Sequence, residues 1–357
     1  MRVVVTGATG NVGTGVVERL VQDPAVTSIV GVARRLPSWQ QPKTEWVQAD
    51  LATDDLLPVL RGADAVVNLS WSFHPIHRPL KTWQNNVVGS MRLFDAAAAA
   101  GVAAIVHASS VGAYSPRQDD GKPVDESWPT HALPTAAYGR EKSYLERVLD
   151  SFEKAHPEIR VVRMRPGFIF KASSAAAQRR IFAGPFVPNP LVRPGLIPVI
   201  PSVPGLRFQV LHTDDAGEAY RLAVTRDVRG PFNLASDPVV DAELLGRVLG
   251  ARPVRVPRWA LRGAVDAAWR LHVVPASPYL LDLFLSVPVL DTTRARTELG
   301  WQPTVGAEDT LREFLDGFRR GQGGETPPLR EDTGGPARLG ELATGVGEAG
   351  GVTPDGR

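Results

Sequence analysis

The sequence predicts an α/β protein, built on a doubly wound parallel sheet with a smaller, mainly helical cap in the C-terminal half. Three observations indicate this fold class. Short β-branched runs alternate with helical patterns through the first half of the chain, a glycine-rich turn follows the first run, and the alternation stops after Pro166. Runs that are apolar throughout are typical of parallel strands covered by helices on both faces. The β-α order therefore favours a doubly wound sheet.

The elements follow one another in a regular order. Strands are predicted at residues 2–6, 28–33, 45–49, 65–69, 104–108 and 160–163. Helices are predicted between them, at residues 12–22, 54–60, 82–100 and 138–155. Later strands at 208–212 and 232–234, with a helix at 215–224, are expected to complete the sheet. Helices at 242–249, 258–272, 279–285 and 308–319 are expected to form the cap.

The same pattern divides the chain into parts. Residues 1–170 are predicted to bind a dinucleotide, with the sheet completed by 207–235, and residues 171–206 and 236–320 to form a substrate-binding cap. A substrate pocket is expected between cap and sheet. Residues 321–357 are rich in Gly, Pro, Glu and Thr, which predicts a disordered tail whose removal leaves folding and cofactor affinity unchanged.

Composition excludes several classes of protein. The 40 basic and 38 acidic residues leave a net charge of +2, too little to favour nucleic acid. The absence of cysteine removes disulfides, thiolate nucleophiles and cysteine metal sites, and no metal site is predicted. The apolar stretch at 186–206 contains six prolines and is expected to be a loop, not a membrane span. We therefore expect a soluble, cytoplasmic protein with no membrane partner.

The glycine-rich turn is the first candidate site. Gly7 permits a tight turn, Gly10 lets the backbone approach a pyrophosphate, and Gly13 allows close packing of helix against strand. The free N–H groups at the start of the following helix, together with its dipole, favour phosphate there. The remaining predicted contacts in this turn are Thr9, Asn11 and Val12.

A second motif follows the fifth strand. Tyr138 and Lys142 lie four residues apart at the start of a predicted helix, so their side chains share one face. Together with the G-x-x-G-x-x-G spacing, this Y-x-x-x-K pair resembles the extended short-chain dehydrogenase/reductases, in particular the NAD-dependent epimerase/dehydratase family. The resemblance covers about residues 1–320 and implies a Rossmann fold that binds a nicotinamide dinucleotide.

The resemblance also implies the rest of the cofactor site. Arg34 and Arg35, at the end of the second strand, stand where the family recognises the adenosine ribose. Because Arg can pair with a 2′-phosphate, NADP is favoured, with NAD as the alternative and a solvated-loop role for both arginines left open. The other family contacts fall on Asp50, Leu51, Leu69, Ser70 and Pro166, besides Tyr138 and Lys142.

The catalytic group implied by the resemblance is Ser110, Tyr138 and Lys142, with Ser109 as the alternative serine. Asn86 resembles the asparagine that supports the active site, although a surface position on its helix is the alternative. Tyr138 would exchange a proton with the substrate oxygen, Ser110 would hydrogen-bond the same oxygen, and Lys142 would tune Tyr138 and hold the ribose. His212 is expected to be structural.

These features predict an enzyme that moves a hydride and a proton at a carbinol or carbonyl carbon, with a nucleotide sugar as the expected substrate. A ketone or alcohol reductase for a less polar substrate is one alternative, because the cap is rich in apolar residues. They are Phe182, Phe186, Leu191, Leu196, Ile197, Trp259, Trp269, Leu281 and Phe284, for which packing in the core is the commoner role. A non-catalytic NADP-binding regulatory protein is another. The resemblance also implies a homodimer through the helices at 82–100 and 138–155.

Overall fold

The computed structural model describes residues 1–73, 77–118, 121–184, 186, 197–334 and 346. Its strands are β1 Arg2–Thr6, β2 Ser28–Ala33, β3 Thr44–Gln48, β4 Ala65–Asn68, β5 Ala104–Ala108, β6 Arg160–Pro166, β7 Phe168–Phe170, β8 Val199–Ser202, β9 Arg207–Phe208, β10 Val210–His212, β11 Gly230–Leu234, β12 Val240–Asp241 and β13 Arg252–Arg255. The first six lie within a few residues of their predicted positions.

The helices of the first half are α1 Asn11–Gln22, α2 Leu57–Leu60, α3 Pro79–Trp83, α4 Gly89–Ala99, α5 Ala137–Ala155 and α6 Ala175–Phe182. Those of the second half are α7 Thr213–Thr225, α8 Ala242–Leu249, α9 Arg258–Arg270, α10 Pro278–Phe284, α11 Thr293–Thr297 and α12 Ala307–Arg320. Among the described residues, no helix is long and apolar enough to cross a lipid bilayer.

Seven strands form one sheet in the order β11-β6-β5-β4-β1-β2-β3, and all neighbours are parallel. Val3, Val4 and Val5 are fully buried, because helices cover both faces of the central strand. One apolar layer packs the sheet against α1 and α7, and another packs it against α4 and α5. The predicted doubly wound fold is confirmed. The strand order reverses between β1 and β4, which places a crevice at their carboxyl ends.

The predicted completion of the sheet holds for β11, which pairs with β6, but not for the strand expected at 208–212. That segment forms β9 and β10, which pair with β12 and β7 in separate two-stranded sheets. The chain leaves the main sheet at Gly167, where a Cβ atom would lie 2.5 Å from the carbonyl oxygen of Gln209. Only glycine allows β10 to approach this closely.

The long helix predicted at 82–100 is interrupted. A π-helical turn, Gln84–Val88, separates α3 from α4 and contains Asn86. Such turns insert an extra residue into a helix and often occur at functional sites. Here the extra residue turns the side chain of Asn86 into the protein, where it is 1% exposed.

Two further expectations need correction. The proline-rich segment contains a strand, β8, which pairs with β13, and the proline in each is tolerated because this two-stranded ribbon consists only of edges. The tail predicted to be disordered from residue 321 packs on the domain as far as residue 334, since Thr326 and Leu329 are buried. The remainder of that tail, except Val346, lies outside the described residues.

Candidate active site

The glycine-rich turn joins β1 to α1. Gly7 has a φ of +67°, and a Cβ atom there would lie 2.8 Å from the backbone of Leu69. A Cβ atom at Gly13 would lie 2.2 Å from the carbonyl oxygen of Gly7, so helix and turn are in direct backbone contact. Gly10 caps α1, and the first turn of this helix contains no acidic residue. The turn can therefore accept a diphosphate against its free N–H groups.

One cavity of about 1610 Å³ extends from this turn to Tyr138 and the cap. Most predicted cofactor contacts line it: Gly7, Gly10, Asn11, Val12, Gly13, Arg34, Asp50, Leu69, Tyr138, Lys142 and Pro166. Thr9, Leu51 and Ser70 do not belong to its lining. Thr9 uses its carbonyl oxygen to accept a bond from Thr326, and Leu51 packs against Gly89. The dimensions and the glycine-rich end fit a dinucleotide.

The end of the cavity beyond β2 carries the groups expected near a ribose. Arg34 and Arg35 line it, and Gln48 holds the loop by donating to the carbonyl oxygen of Arg34 at 3.0 Å. Asp50 is fixed by its own turn, because its carboxylate accepts the N–H of Ala52 at 2.9 Å. This end of the cavity combines the two arginines with the oriented carboxylates of Asp50 and Asp54.

Ser110, Tyr138 and Lys142 meet at the other end of the cavity. Ser110 follows β5 and its hydroxyl oxygen accepts the N–H of Gly112 at 3.0 Å, and its side chain is close enough to Tyr138 to lower the pKa of that residue. Lys142 lies one helical turn after Tyr138 and donates to the carbonyl oxygen of Ala108 at 2.6 Å. Ser110 comes shortly after β5, whereas Tyr138 and Lys142 belong to α5. The three side chains meet because the carboxyl end of β5 lies beside the start of α5.

Ser109, the alternative serine, points away from this group. Its hydroxyl donates to the buried carboxylate of Glu146 at 2.6 Å. Glu146 also accepts two bonds from Arg165, each at 2.9 Å, and an ion pair from Arg163 at 3.1 Å. This second cluster holds Ser109, which directly precedes Ser110, and so it fixes the backbone at the end of β5.

Asn86 supports the site from behind. Its amide nitrogen donates to Glu141 at 2.7 Å and to the carbonyl oxygen of Ser72 at 2.9 Å, and its amide oxygen accepts the N–H of Ser72 at 2.7 Å. Thr82 donates to the same carboxylate at 2.6 Å. Asn86 is thus buried, not on the surface, and it ties the loop after β4 to α5. Its neighbour Asn85 lines the cavity instead.

Two aromatic residues that the sequence did not single out contact the site. Lys142 Nζ lies 3.4 Å from the centroid of the Trp71 ring, a cation–π contact. Phe73 stacks on Tyr138 with ring centroids 5.4 Å apart and an angle of 8° between the rings. Both follow β4, whose carboxyl end meets the same crevice, and that position was the available signal.

Burial controls the ionisation of the group. It raises the pKa of Tyr138 to about 12, although the bond from Ser110 lowers it. It lowers the pKa of Lys142 to about 7, against the opposing charges of Glu141 and Glu146. At neutral pH and without a ligand, Tyr138 is therefore protonated, and Lys142 is present in both its charged and its neutral form. A charged ligand in the cavity would change both values.

His212 has a structural place, as expected. Its Nδ1 accepts the N–H of Asp214 at the start of α7, and its Nε2 lies 3.1 Å from Glu313 on α12. It thus connects the start of α7 to α12. Within the described ranges, no three His, Cys, Asp or Glu side chains cluster closely enough to hold a metal ion.

Comparison with known proteins identifies the family. An uncharacterised protein of Mycobacterium tuberculosis is 27% identical over 337 residues, which cover 90% of this chain and 84% of that protein. The UDP-glucose 4-epimerase of Thermus thermophilus, solved with NAD, has a TM-score of 0.64 at 20% identity and covers 89% of this chain and 99% of its own. The dTDP-glucose 4,6-dehydratase DesIV of Streptomyces venezuelae, solved with NAD, has a TM-score of 0.65 at 18% identity, covering 90% and 97%. The model of the NAD dependent epimerase/dehydratase family matches residues 3–235, and the chain belongs to that family.

Proposed function

We propose that the protein is a nicotinamide-dependent oxidoreductase or epimerase in which Ser110, Tyr138 and Lys142 perform the proton transfer. The observation that carries the proposal is the position of these three groups at one end of a cavity whose other end is the glycine-rich turn. The bound nicotinamide ring would donate or accept the hydride. The chain itself must bind the substrate oxygen and move one proton.

In the reductive direction Tyr138 donates its O–H proton to the substrate carbonyl oxygen. Tyr138 carries this proton in the free protein at neutral pH, but its raised pKa makes it a weaker acid than a free tyrosine, so the transfer needs a nearby positive charge that lowers this pKa. Ser110 stabilises the same oxygen by donating a hydrogen bond. The Lys142 ammonium stabilises the tyrosinate that remains, and in the oxidative direction every proton moves the opposite way.

The walls around Tyr138 favour a less polar ketone or alcohol as the substrate. They are mainly apolar, formed by Trp71, Phe73, Val111, Phe168, Phe182, Leu280, Leu281, Leu283, Phe284 and Val287. Three of the nine apolar cap residues singled out above are among them, whereas Leu191 and Leu196 lie outside the described residues and Trp259 is 78% exposed. Apolar walls bind the flanks of such a substrate and exclude water.

A nucleotide sugar is the second candidate. Arg78 and Lys81 line the cavity near α3 and offer positive charge for a diphosphate. Arg180 lines the same cavity and donates to the carbonyl oxygens of Pro328 and Arg330. The similar proteins of known structure include enzymes named for UDP-glucose and dTDP-glucose, which supports this candidate.

Two observations bear on the identity of the cofactor, and they favour different dinucleotides. Both solved structures compared above hold NAD, which favours NAD over the predicted NADP. Arg34 and Arg35 line the cavity where an adenosine ribose would lie, which favours NADP. We propose that the cofactor is a nicotinamide dinucleotide. The ratio of the dissociation constants for NAD and NADP tests which of the two the protein prefers.

A homodimer through α4 and α5 is part of the proposal. Val88 is 38% exposed at the start of α4, and Tyr144 on α5 is 42% exposed and contacts Trp83 with ring centroids 4.8 Å apart. These apolar side chains are suited to the centre of an interface between two copies. The cytoplasmic location stays a prediction.

The test compares turnover and cofactor binding in two variants of one helix. Tyr138→Phe removes the transferable proton and is expected to lower turnover by about 100-fold or more with nearly unchanged cofactor affinity. Tyr144→Phe is the matched control and should leave both unchanged. Small ketones, hydroxysteroids and nucleotide sugars are assayed by cofactor absorbance and by epimerised product. Retained turnover in Tyr138→Phe refutes the mechanism, whereas cofactor binding without turnover of any class favours a regulatory protein.

A further inference from the structure

The segment after α12 does not leave the domain but returns to the glycine-rich turn. We define the C-terminal loop as residues 322–334. Its first residue is anchored on α6, because the N–H of Ala176 donates to the carbonyl oxygen of Gln322 at 3.0 Å. The loop then closes on itself, since the N–H of Gly324 donates to the carbonyl oxygen of Leu329 at 2.9 Å. It is therefore a formed loop with an internal hydrogen bond.

Thr326 makes the contact that connects this loop to the dinucleotide site. Its hydroxyl donates to the carbonyl oxygen of Thr9 at 2.7 Å, and the Thr326 residue is 1% exposed. Thr9 lies between Gly7 and Gly10, in the turn whose glycines line the cavity. A buried bond to this carbonyl fixes the orientation of the peptide groups on which phosphate binding depends.

The residues that follow Thr326 form part of the cavity wall. Pro328 and Leu329 line the same cavity as Gly10 and Arg34, and Leu329 is 3% exposed. Arg180 of α6 holds them in place by donating to the carbonyl oxygen of Pro328 at 2.6 Å. Val346, further along the chain, is buried and lines the cavity as well.

The end of the loop reaches the loop after β2. Arg330 donates to the hydroxyl of Ser38 at 3.1 Å, four residues beyond Arg34. Burial and the charge of Arg34 lower the pKa of Arg35, and the nearby charge of Arg330 lowers it further. The loop thus spans the site from the glycine-rich turn to the ribose end.

We propose that the C-terminal loop is a working part of the dinucleotide site: it holds the glycine-rich turn through Thr326 and covers the bound dinucleotide with Pro328 and Leu329. The inference rests on the proposed function, because it assumes that a dinucleotide occupies this cavity. It replaces the expectation that the chain beyond residue 321 is dispensable. A loop that covers a ligand slows its release and raises its affinity.

The test measures cofactor binding in the full chain by titration calorimetry and by stopped-flow tryptophan fluorescence, with NAD and NADP as probes. Thr326→Val keeps the shape and removes the buried donor, so the dissociation constant is expected to rise about 5- to 10-fold, mainly through faster release. Leu329→Ala should act in the same direction. Thr297→Val is the matched control, because it makes the same substitution at an exposed position of α11 that does not line the cavity, and it should bind like the parent.

Each outcome has one meaning. Unchanged affinity in Thr326→Val and Leu329→Ala overturns the inference while leaving the proposed function intact. Tighter binding also overturns it, because the loop would then occupy space that the dinucleotide needs. A parent protein that binds neither dinucleotide overturns the proposed function together with the inference. Thermal melting of each variant is measured first, and a chain truncated after Arg320 is compared only if it melts like the parent.

Discussion

Removing the charge of Glu146 should destabilise the fold strongly, although this residue does not itself line the cavity. Glu146 is fully buried on α5 and accepts bonds from Arg165, Arg163 and Ser109. Burial by itself raises the pKa of its carboxyl group, but Arg165, Arg163 and Ser109 together lower it to about 2. Glu146→Gln keeps the volume of the side chain and removes the carboxylate that pairs with the buried guanidinium of Arg165, whereas Arg163 keeps its ion pairs with Asp150 and Glu153.

The magnitude follows from the pKa. Against an ordinary value of 4.5, a folded-state pKa of about 2 corresponds to about 3 kcal/mol of stability. Because the folded-state pKa is the lower one, this contribution is complete above pH 4.5 and is lost as the pH falls from 4.5 towards 2. Glu146→Gln should therefore lose about 3 kcal/mol at pH 7.5, and the difference from the parent should shrink in acid.

The assay is urea denaturation of parent and variant at pH 7.5 and at pH values below 4.5. Asp150→Asn is the matched control, because Asp150 pairs with the same Arg163 at 2.7 Å but is 43% exposed. It should cost less than about 1 kcal/mol. A loss below about 1 kcal/mol for Glu146→Gln, or a loss that does not depend on pH, would refute the reasoning.

Three further predictions concern the cofactor, the serines and the assembly. Arg34→Asp should weaken NADP relative to NAD by about 10- to 150-fold in calorimetry, and an unmoved ratio would leave Arg34 a solvated loop residue. Ser110→Ala should lower turnover by about 100-fold, whereas Ser109→Ala, which loses the bond to Glu146, should mainly lower the melting temperature; the reverse pattern would exchange their roles. Light scattering coupled to size exclusion should give a dimer mass, and Tyr144→Glu a monomer, while a monomeric parent at micromolar concentration contradicts the proposed interface.

Short sequence patterns predicted the strands, the glycine-rich turn and the Tyr138–Lys142 pair, because each of these depends on residues that are close together in the sequence. The short, β-branched apolar runs of β1 and β5 favour buried strands, and the spacing of Gly7, Gly10 and Gly13 indicates where backbone must approach backbone. The helical spacing of Tyr138 and Lys142 placed both on one face. The choice between Ser109 and Ser110 was different, because it depends on Glu146, which lies 37 residues from Ser109 in sequence.

The error at the C-terminal loop has a physical cause that reaches beyond this segment. A composition of Gly, Pro and Glu shows that residues 321–334 bury too little apolar surface to fold alone. It does not show that they stay unfolded beside a finished domain, because a loop that docks needs only enough contacts to offset its own ordering. Here the buried hydroxyl of Thr326 and the side chain of Leu329 are two such contacts, and both lie at the dinucleotide site.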